Sequence, residues 1–208
     1  MTNQTKDWGH PATAESIDRA TKALVKNGIE VFVVESGEDA KHKVLELLPK
    51  NAEVMTMTSK TLESTGIAEA INNSEEYDAI KPKIAKMNRE TDGRQMQRLG
   101  AAPEWAIGSV HAITEGGDVL VASGTGSQLP AYAYGADHVI WVVGSQKIVQ
   151  NLEEAHLRLR NHTLPLEDAR LKTVYGPNAQ SRINKVITFH GEEPGRITMI
   201  IVREPHGF

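Results

Sequence analysis

The chain has 208 residues, of which 39% are hydrophobic and 24% are charged, and its formal net charge is −4. These values are ordinary for a globular domain, and the acidic balance argues against a nucleic-acid partner or an anionic membrane surface. Because the chain has no cysteine, we expect no disulfide, thiolate zinc site or cysteine-bound iron–sulfur cluster within it. Without a membrane-length apolar run or a signal-peptide core, the sequence predicts a cytoplasmic protein with no membrane span.

The first half of the chain alternates between helical and strand patterns. Apolar residues at helical spacing are followed by β-branched runs, and this order favours an α/β fold with a parallel sheet covered by helices. We treat the whole chain as one α/β domain, with an N-terminal helix–strand part over residues 1–50. The predicted helices cover residues 13–27 and 40–48, the predicted strands cover 29–34 and 52–57, and a short helix is expected to begin near Ser59 and end at Gly66.

A highly charged stretch over residues 75–100 separates the two halves. We interpret it as an exposed helical excursion that is broken at residues 91–93. The second half then resumes the alternation, and Ser145 is expected to cap a helix. The predicted strands here cover residues 110–114, 118–122 and 138–143, and a closing pair over 184–189 and 196–202 is joined by a hairpin-like turn.

The most informative motif is DVLVASGTGSQ at residues 118–128, where a short strand leads into a loop of two glycines and three hydroxyls. Such a loop can present several backbone N–H groups to a phosphate or carboxylate. The alternative is a tight turn with a purely structural role. No Gly-Lys-Ser/Thr follows, and Leu129 stands where a dinucleotide-binding loop needs its third glycine. The predicted ligand-binding residues are Ser123, Gly124, Thr125, Gly126 and Ser127.

Three side chains are candidates for catalysis. Glu115 precedes two glycines close to this loop and could serve as general base or nucleophile, or be a solvated turn residue. Glu63 is the second carboxylate candidate, and a surface ion pair with Lys60 is the alternative. His111 lies four residues before Glu115 and could act in catalysis or be a hydrogen-bonded structural histidine.

Two lysines complete the predicted site. Lys147 follows a strand and Lys185 precedes the last strands, so the fold could bring either ammonium group to the anion. The alternative for both is an ordinary surface lysine. The histidines show no metal-ligand spacing, so we predict no metal site.

Several segments in a fixed order resemble the LUD domain, the family of the lactate-utilization protein C. The resemblance covers most of residues 52–208 and rests on order and spacing more than on any single motif. The segments are MTSKTLE at 57–63, ITEGGDVL at 113–120, SGTG at 123–126, VVGSQKIV at 142–149, LPLEDAR at 164–170, PGRIT at 194–198 and EPHGF at 204–208.

This resemblance implies a central, mostly parallel sheet flanked by helices, as in the superfamily of glucosamine-6-phosphate isomerase, ribose-5-phosphate isomerase and coenzyme A transferase. It also implies a link to lactate oxidation, where relatives work beside iron–sulfur subunits. We therefore predict a protein that binds a small anionic metabolite in lactate or organic-acid utilization. The alternatives are a non-catalytic subunit of an iron–sulfur or flavin oxidation complex, and an isomerase or coenzyme A transferase-like enzyme. The reaction, any cofactor and the oligomeric state, a homo-oligomer included, stay open.

Overall fold

A computed structural model describes residues 7–208. The strands are β1 Glu30–Val34, β2 Glu53–Thr56, β3 Asp78–Ala79, β4 Trp105–Gly108, β5 Ala112–Thr114, β6 Val119–Ser123, β7 His138–Gly144, β8 Ile148–Val149, β9 Lys185–Phe189 and β10 Ile197–Val202. The α-helices are α1 Ala14–Lys26, α2 Gly37–Leu47, α3 Lys60–Ser64, α4 Ile67–Asn72, α5 Ile80–Ala85, α6 Arg89–Ala101, α7 Leu152–Arg158 and α8 Leu164–Tyr175. No helix within this part of the chain is long and apolar enough to cross a membrane.

The structure is α/β, with a central sheet in the order β1-β10-β7-β4-β2-β3. All five strand pairs of this sheet are parallel, which confirms the predicted fold class. A second sheet has the order β8-β5-β6-β9. In this smaller sheet β6 is antiparallel to both neighbours, whereas β5 and β8 are parallel.

The central sheet is buried on both faces, and β7 shows how. Val139, Trp141 and Val143 face the smaller sheet and helix α1, whereas Ile140 and Val142 face helices α2 and α4. Successive side chains of a strand point to opposite faces, so a continuous apolar run such as β7 fits only a strand covered on both sides.

The smaller sheet packs between the central sheet and helix α7. Val119 and Val121 of β6 join the core shared with the central sheet, whereas Leu120 and Ala122 pack on the other side with Ala155 of α7. The layers therefore run helices, central sheet, smaller sheet, helix.

The two closing strands do not form the predicted hairpin. Strand β10 lies in the centre of the parallel sheet, between β1 and β7, whereas β9 is antiparallel to β6 in the other sheet. The burial of the two strands explains the difference. All of β10 except Thr198 is buried, as expected for a strand inside the central sheet. Only Phe189 of β9 is buried, as expected for a strand at the edge of the smaller sheet.

Two local predictions are also wrong. Ser145 caps no helix, because its hydroxyl donates to the Arg203 carbonyl (2.7 Å) and the next α-helix begins at Leu152. The charged excursion contains α5 and α6, but its break falls at residues 86–88. Asn88 caps α6 by accepting from the Glu90 N–H (2.9 Å), so residues 91–93 lie within that helix.

Gly108 ends strand β4 at a point where no side chain fits. A Cβ added there would overlap the Tyr132 hydroxyl and come within 3.2 Å of Met57 Cβ. Gly93 in helix α6 has nothing within 4 Å of the equivalent position. A glycine is therefore required at position 108, where the Tyr132 side chain lies close to the backbone, but not at position 93.

These two glycines give a matched stability prediction. Gly108→Ala should lower the free energy of unfolding by about 1–3 kcal/mol through overpacking. Gly93→Ala should raise it by up to about 1 kcal/mol, because alanine favours a helix interior over glycine. Urea titrations of both variants and the wild type measure these changes. Equal midpoints for Gly108→Ala and the wild type would contradict the packing described.

Candidate functional site

A cavity of about 240 Å³ lies at the carboxyl ends of the central strands. Its walls come from the segments that follow β2 and β4, from Lys147 after β7, and from the end of β6 in the smaller sheet. Ligands of open α/β sheets bind outside the carboxyl ends of the strands. The cavity is therefore where this fold class places a site.

The Lys147 side chain reaches this cavity from the turn after β7 and is only 3% exposed. Its Nζ donates to Thr61 Oγ1 (3.0 Å), Ser109 Oγ (3.1 Å) and the Val110 carbonyl (3.2 Å). These acceptors follow β2 and β4 and are all neutral. Within residues 7–208 no carboxylate forms an ion pair with Lys147, so its ammonium group is buried without a counter-charge.

Burial lowers the pKa of Lys147 from 10.5 to about 7, and the charge of Arg158 contributes to this shift. A buried environment disfavours the charged form of an amine, and a nearby cation disfavours it further. Near neutral pH this lysine therefore exists as both the ammonium and the neutral amine.

His111 also lines the cavity, directly after Ser109 and Val110. Its Nδ1 accepts the backbone N–H of Ala122 (3.1 Å), so the neutral ring carries its proton on Nε2. Burial lowers the pKa of His111 to about 3, and the charges of Lys147 and Arg158 add to the shift. The ring is therefore a neutral donor toward the cavity at physiological pH.

Arg158 lies behind the cavity wall and is fully buried. Its Nη1 donates to the His111 carbonyl (2.6 Å) and to Thr163 Oγ1 (3.0 Å). Its Nε and Nη2 have no hydrogen-bond partner within the part of the chain that the structure describes. Burial lowers the pKa of Arg158 to about 10, so it remains a cation at neutral pH. Two buried cations thus stand at one side of the cavity.

The cavity lining also contains charged side chains that are less buried. Glu63 pairs with Lys60 (2.6 Å), and Glu167 forms a two-pronged pair with Arg170 (2.6 and 2.7 Å). Arg182 forms no ion pair among the described residues. Glu63 and Glu167 are thus each paired with a cation, and the lining contains more cationic side chains than carboxylates.

Glu115 lies outside this lining. Its carboxylate forms two 2.8 Å contacts with the Arg19 guanidinium and accepts a hydrogen bond from Ser16 Oγ. These contacts fasten helix α1 to the turn between β5 and β6. The structure therefore separates Glu115 from Glu63 and His111, which do line the cavity.

The glycine-rich loop reaches the cavity only at its first two residues, Ser123 and Gly124. Beyond them the loop bonds to itself: Ser123 Oγ accepts the Gly126 N–H (2.8 Å), and Thr125 Oγ1 accepts the Ser127 N–H (3.3 Å). Residues 125–127 are absent from the lining. This part of the loop therefore forms a turn that holds Ser123 and Gly124 in place.

Lys185 lies against the same turn, outside the cavity lining. A Cβ added to Gly126 would come within 2.8 Å of Lys185 Cδ, and Gly126 has a φ of +90°. Replacement of Gly126 would therefore strain the turn whatever its effect on a ligand. Of the two predicted lysines, only Lys147 belongs to the cavity.

Three residues that contribute to the site were not predicted from the sequence. Ser109 and Thr61 hold the Lys147 ammonium, and Arg158 lies behind His111. A usable signal exists for Ser109, because it follows the carboxyl end of a parallel strand, where this class of fold binds ligands.

In the described residues, no group of three or more His, Asp or Glu side chains is placed to hold a metal ion.

The family model of the LUD domain matches residues 17–202. The chain belongs to the LUD-domain family. The structure is also similar to the crystal structure of a DUF162 family protein from Deinococcus radiodurans, with a TM-score of 0.58 and 12% identity over 92% of this chain and 99% of that one. At this identity the likeness shows the fold alone. A search of curated proteins gives no significant match.

Lys147 should make the stability of this LUD domain depend on pH. Its pKa is about 7 when folded, below the ordinary 10.5, so the unfolded chain binds more protons between these values. The free energy of unfolding contributed by this group therefore rises with pH from about 7 upward. The stability difference between wild type and Lys147→Met should shift in favour of the wild type as pH rises from about 7 to about 9.

Urea titrations across this pH range measure the difference. The exposed Lys50, which precedes β2 at the other end of the sheet, supplies the matched Lys50→Met baseline. A pH-independent difference for Lys147→Met would mean that the folded lysine keeps its ordinary pKa.

Proposed function

We propose that this LUD domain binds a small anionic metabolite in the cavity and serves lactate-type organic-acid utilization in the cytoplasm. The observation that carries the proposal is the Lys147 ammonium, buried against neutral acceptors alone. Burying a charge is costly unless an opposite charge compensates it. A carboxylate or phosphate in the cavity would supply that compensation.

The balance of charge in the lining supports an anion. Four cationic side chains line the cavity against two carboxylates, although the whole chain carries a net charge of −4. Arg158 adds a further buried cation behind the wall. A positive cavity in an acidic protein concentrates small anions from solution. The four cations are Lys60, Lys147, Arg170 and Arg182, and the carboxylates are Glu63 and Glu167.

The alternatives receive less support from this geometry. A coenzyme A transferase-like reaction needs a carboxylate nucleophile facing the substrate. Glu115 is engaged by Arg19 outside the lining, and Glu63 is paired with Lys60. Isomerase activity rests on superfamily likeness alone, which does not establish function. The third alternative is a subunit beside an iron–sulfur or flavin protein. No feature of residues 7–208 tests this role, so it stays a prediction.

Thermal unfolding in the presence of lactate, pyruvate, sugar phosphates and coenzyme A esters tests the proposal. A ligand at 100 times its dissociation constant should stabilise the fold by about 2.7 kcal/mol. For a domain of this size that corresponds to a shift of roughly 5–10 °C in the unfolding midpoint. We expect a shift of this kind with at least one small carboxylate or phosphate.

Two variants locate the effect. Lys147→Met removes the buried cation and should abolish the ligand-induced shift, whereas Lys50→Met should leave it unchanged because Lys50 lies at the opposite end of the sheet. An identical shift in Lys147→Met and the wild type would place the ligand elsewhere. No shift with any of these anions would overturn the proposed function.

A further inference from the structure

The contacts of Lys147 differ from those of most lysines in this structure. Six other described lysines form ion pairs with carboxylates, namely Lys22, Lys41, Lys43, Lys60, Lys83 and Lys172. Lys147 instead contacts two hydroxyls and a carbonyl inside the cavity wall. A carboxylate would hold a lysine in its protonated form, and this lysine has none beside it.

The hydrogen-bond network accepts Lys147 in either protonation state. Thr61 gives its own proton to the His206 carbonyl (3.1 Å), so toward Lys147 it acts as an acceptor, as does the Val110 carbonyl. Ser109 is a hydroxyl that can either accept from the ammonium or donate to the amine lone pair. The neutral amine therefore keeps its two N–H contacts, to Thr61 and the Val110 carbonyl, and its lone pair is free to attack when the Ser109 hydroxyl rotates away from Nζ.

We propose that Lys147 captures the carbonyl carbon of a small 2-oxo acid as an imine. This proposal rests on the proposed function, because the carboxylate of the same molecule is the anion that the cavity holds. The cavity of about 240 Å³ has ample room for a molecule of this size. Besides Lys147, Arg182 at the rim is the lining cation that forms no ion pair in the described residues, and it can receive the carboxylate while the carbonyl faces Lys147.

The step balances without an oxidant or reductant. The Nζ lone pair forms a bond to the carbonyl carbon, the π electrons move to the oxygen, and that oxygen takes the proton that Nζ loses. The resulting carbinolamine then expels one water molecule and leaves a carbon–nitrogen double bond. The neutral His111 ring, with its proton on Nε2, donates a hydrogen bond to the oxygen as charge develops there. Hydrolysis by one water molecule reverses the capture.

The low pKa of Lys147 agrees with this chemistry. At neutral pH about half of a lysine with a pKa near 7 is the neutral amine, against roughly one part in three thousand for a lysine with the ordinary pKa of 10.5. Only the neutral amine attacks a carbonyl, so capture should increase as pH rises through about 7.

Pyruvate and lactate are matched probes, since they differ only in the carbonyl. The full-length protein is incubated with each at neutral pH, reduced with sodium borohydride and analysed by intact and peptide mass spectrometry. We expect one adduct per chain with pyruvate, equal to the mass of pyruvic acid less one oxygen atom and located on Lys147. Its yield should exceed that on any exposed lysine by at least ten-fold, and lactate should give no adduct.

Lys50→Met should form the adduct at wild-type yield, whereas Lys147→Met should not form it. Should Lys147→Met fail to fold, the peptide map of the wild type still decides the outcome, because it shows which lysine is modified. A borodeuteride reduction adds one deuterium to the same peptide and marks it as a former imine.

Thermal shifts separate the two proposals. Stabilisation by pyruvate and lactate without an adduct on Lys147 would overturn imine capture and leave anion binding intact. An adduct on Lys147 supports capture, with or without a measurable shift from lactate. Labelling spread evenly over the exposed lysines, or neither shift nor adduct, would overturn it.

Discussion

The rest of the site depends on one constraint, the burial of the Lys147 ammonium without a carboxylate. Its three hydrogen bonds join the ends of three neighbouring strands: Thr61 follows β2, Ser109 and Val110 follow β4, and Lys147 itself follows β7. A hydrogen bond to a charged group contributes about 1.5–3 kcal/mol, and removing an ion from water costs several kcal/mol. The network thus offsets much of the desolvation and leaves a group whose protonation state responds to whatever enters the cavity.

The smaller sheet contributes to the site. It shares an apolar core with the central sheet through Val119 and Val121, and it brings the Ala122 N–H to His111. The segment between β6 and β7 also packs closely on the central sheet, because the Tyr132 hydroxyl occupies the space that a side chain at Gly108 would need. The smaller sheet therefore does more than cover the core, since the Ala122 N–H fixes the tautomer of His111.

Much of the fold could be predicted from the sequence, because its strands are apolar runs and its helices have clear apolar faces. The topology could not, because β9 and β10 are neighbours in the chain but belong to different sheets. One signal was available: Ile197–Val202 is an almost uninterrupted apolar run, typical of a central parallel strand, whereas Lys185–Phe189 is shorter and contains a lysine and a threonine. Strand β4 was not predicted, because it has only four residues and follows a long polar helix.

The site, like the fold, could be predicted only in part from the sequence. Lys147, His111 and Glu63 were predictable as chemically able side chains beside strand or helix ends, and the structure brings them to one cavity. Glu115 looked equally suitable, but an ion pair with Arg19, 96 residues earlier in the chain, holds it elsewhere. Contacts between residues so far apart depend on the topology, which local patterns do not encode. The glycine-rich loop divides in the same way: Ser123 and Gly124 line the cavity, whereas the Ser123 and Thr125 hydroxyls accept N–H groups of the loop itself.

Attraction of an anion and reaction with a carbonyl make opposite demands on a lysine. The first needs the ammonium, and the second needs the neutral amine. A pKa of about 7 serves both, and the structure produces it by burying Lys147 away from water and placing the charge of Arg158 nearby. The fixed charges of Arg158 and Arg182 then maintain the positive potential of the cavity when Lys147 loses its proton. A carboxylate beside Lys147 would remove this balance, because it would hold the ammonium charged and repel the ligand. The exclusion of carboxylates from the contacts of this one lysine is therefore the feature that joins binding to chemistry.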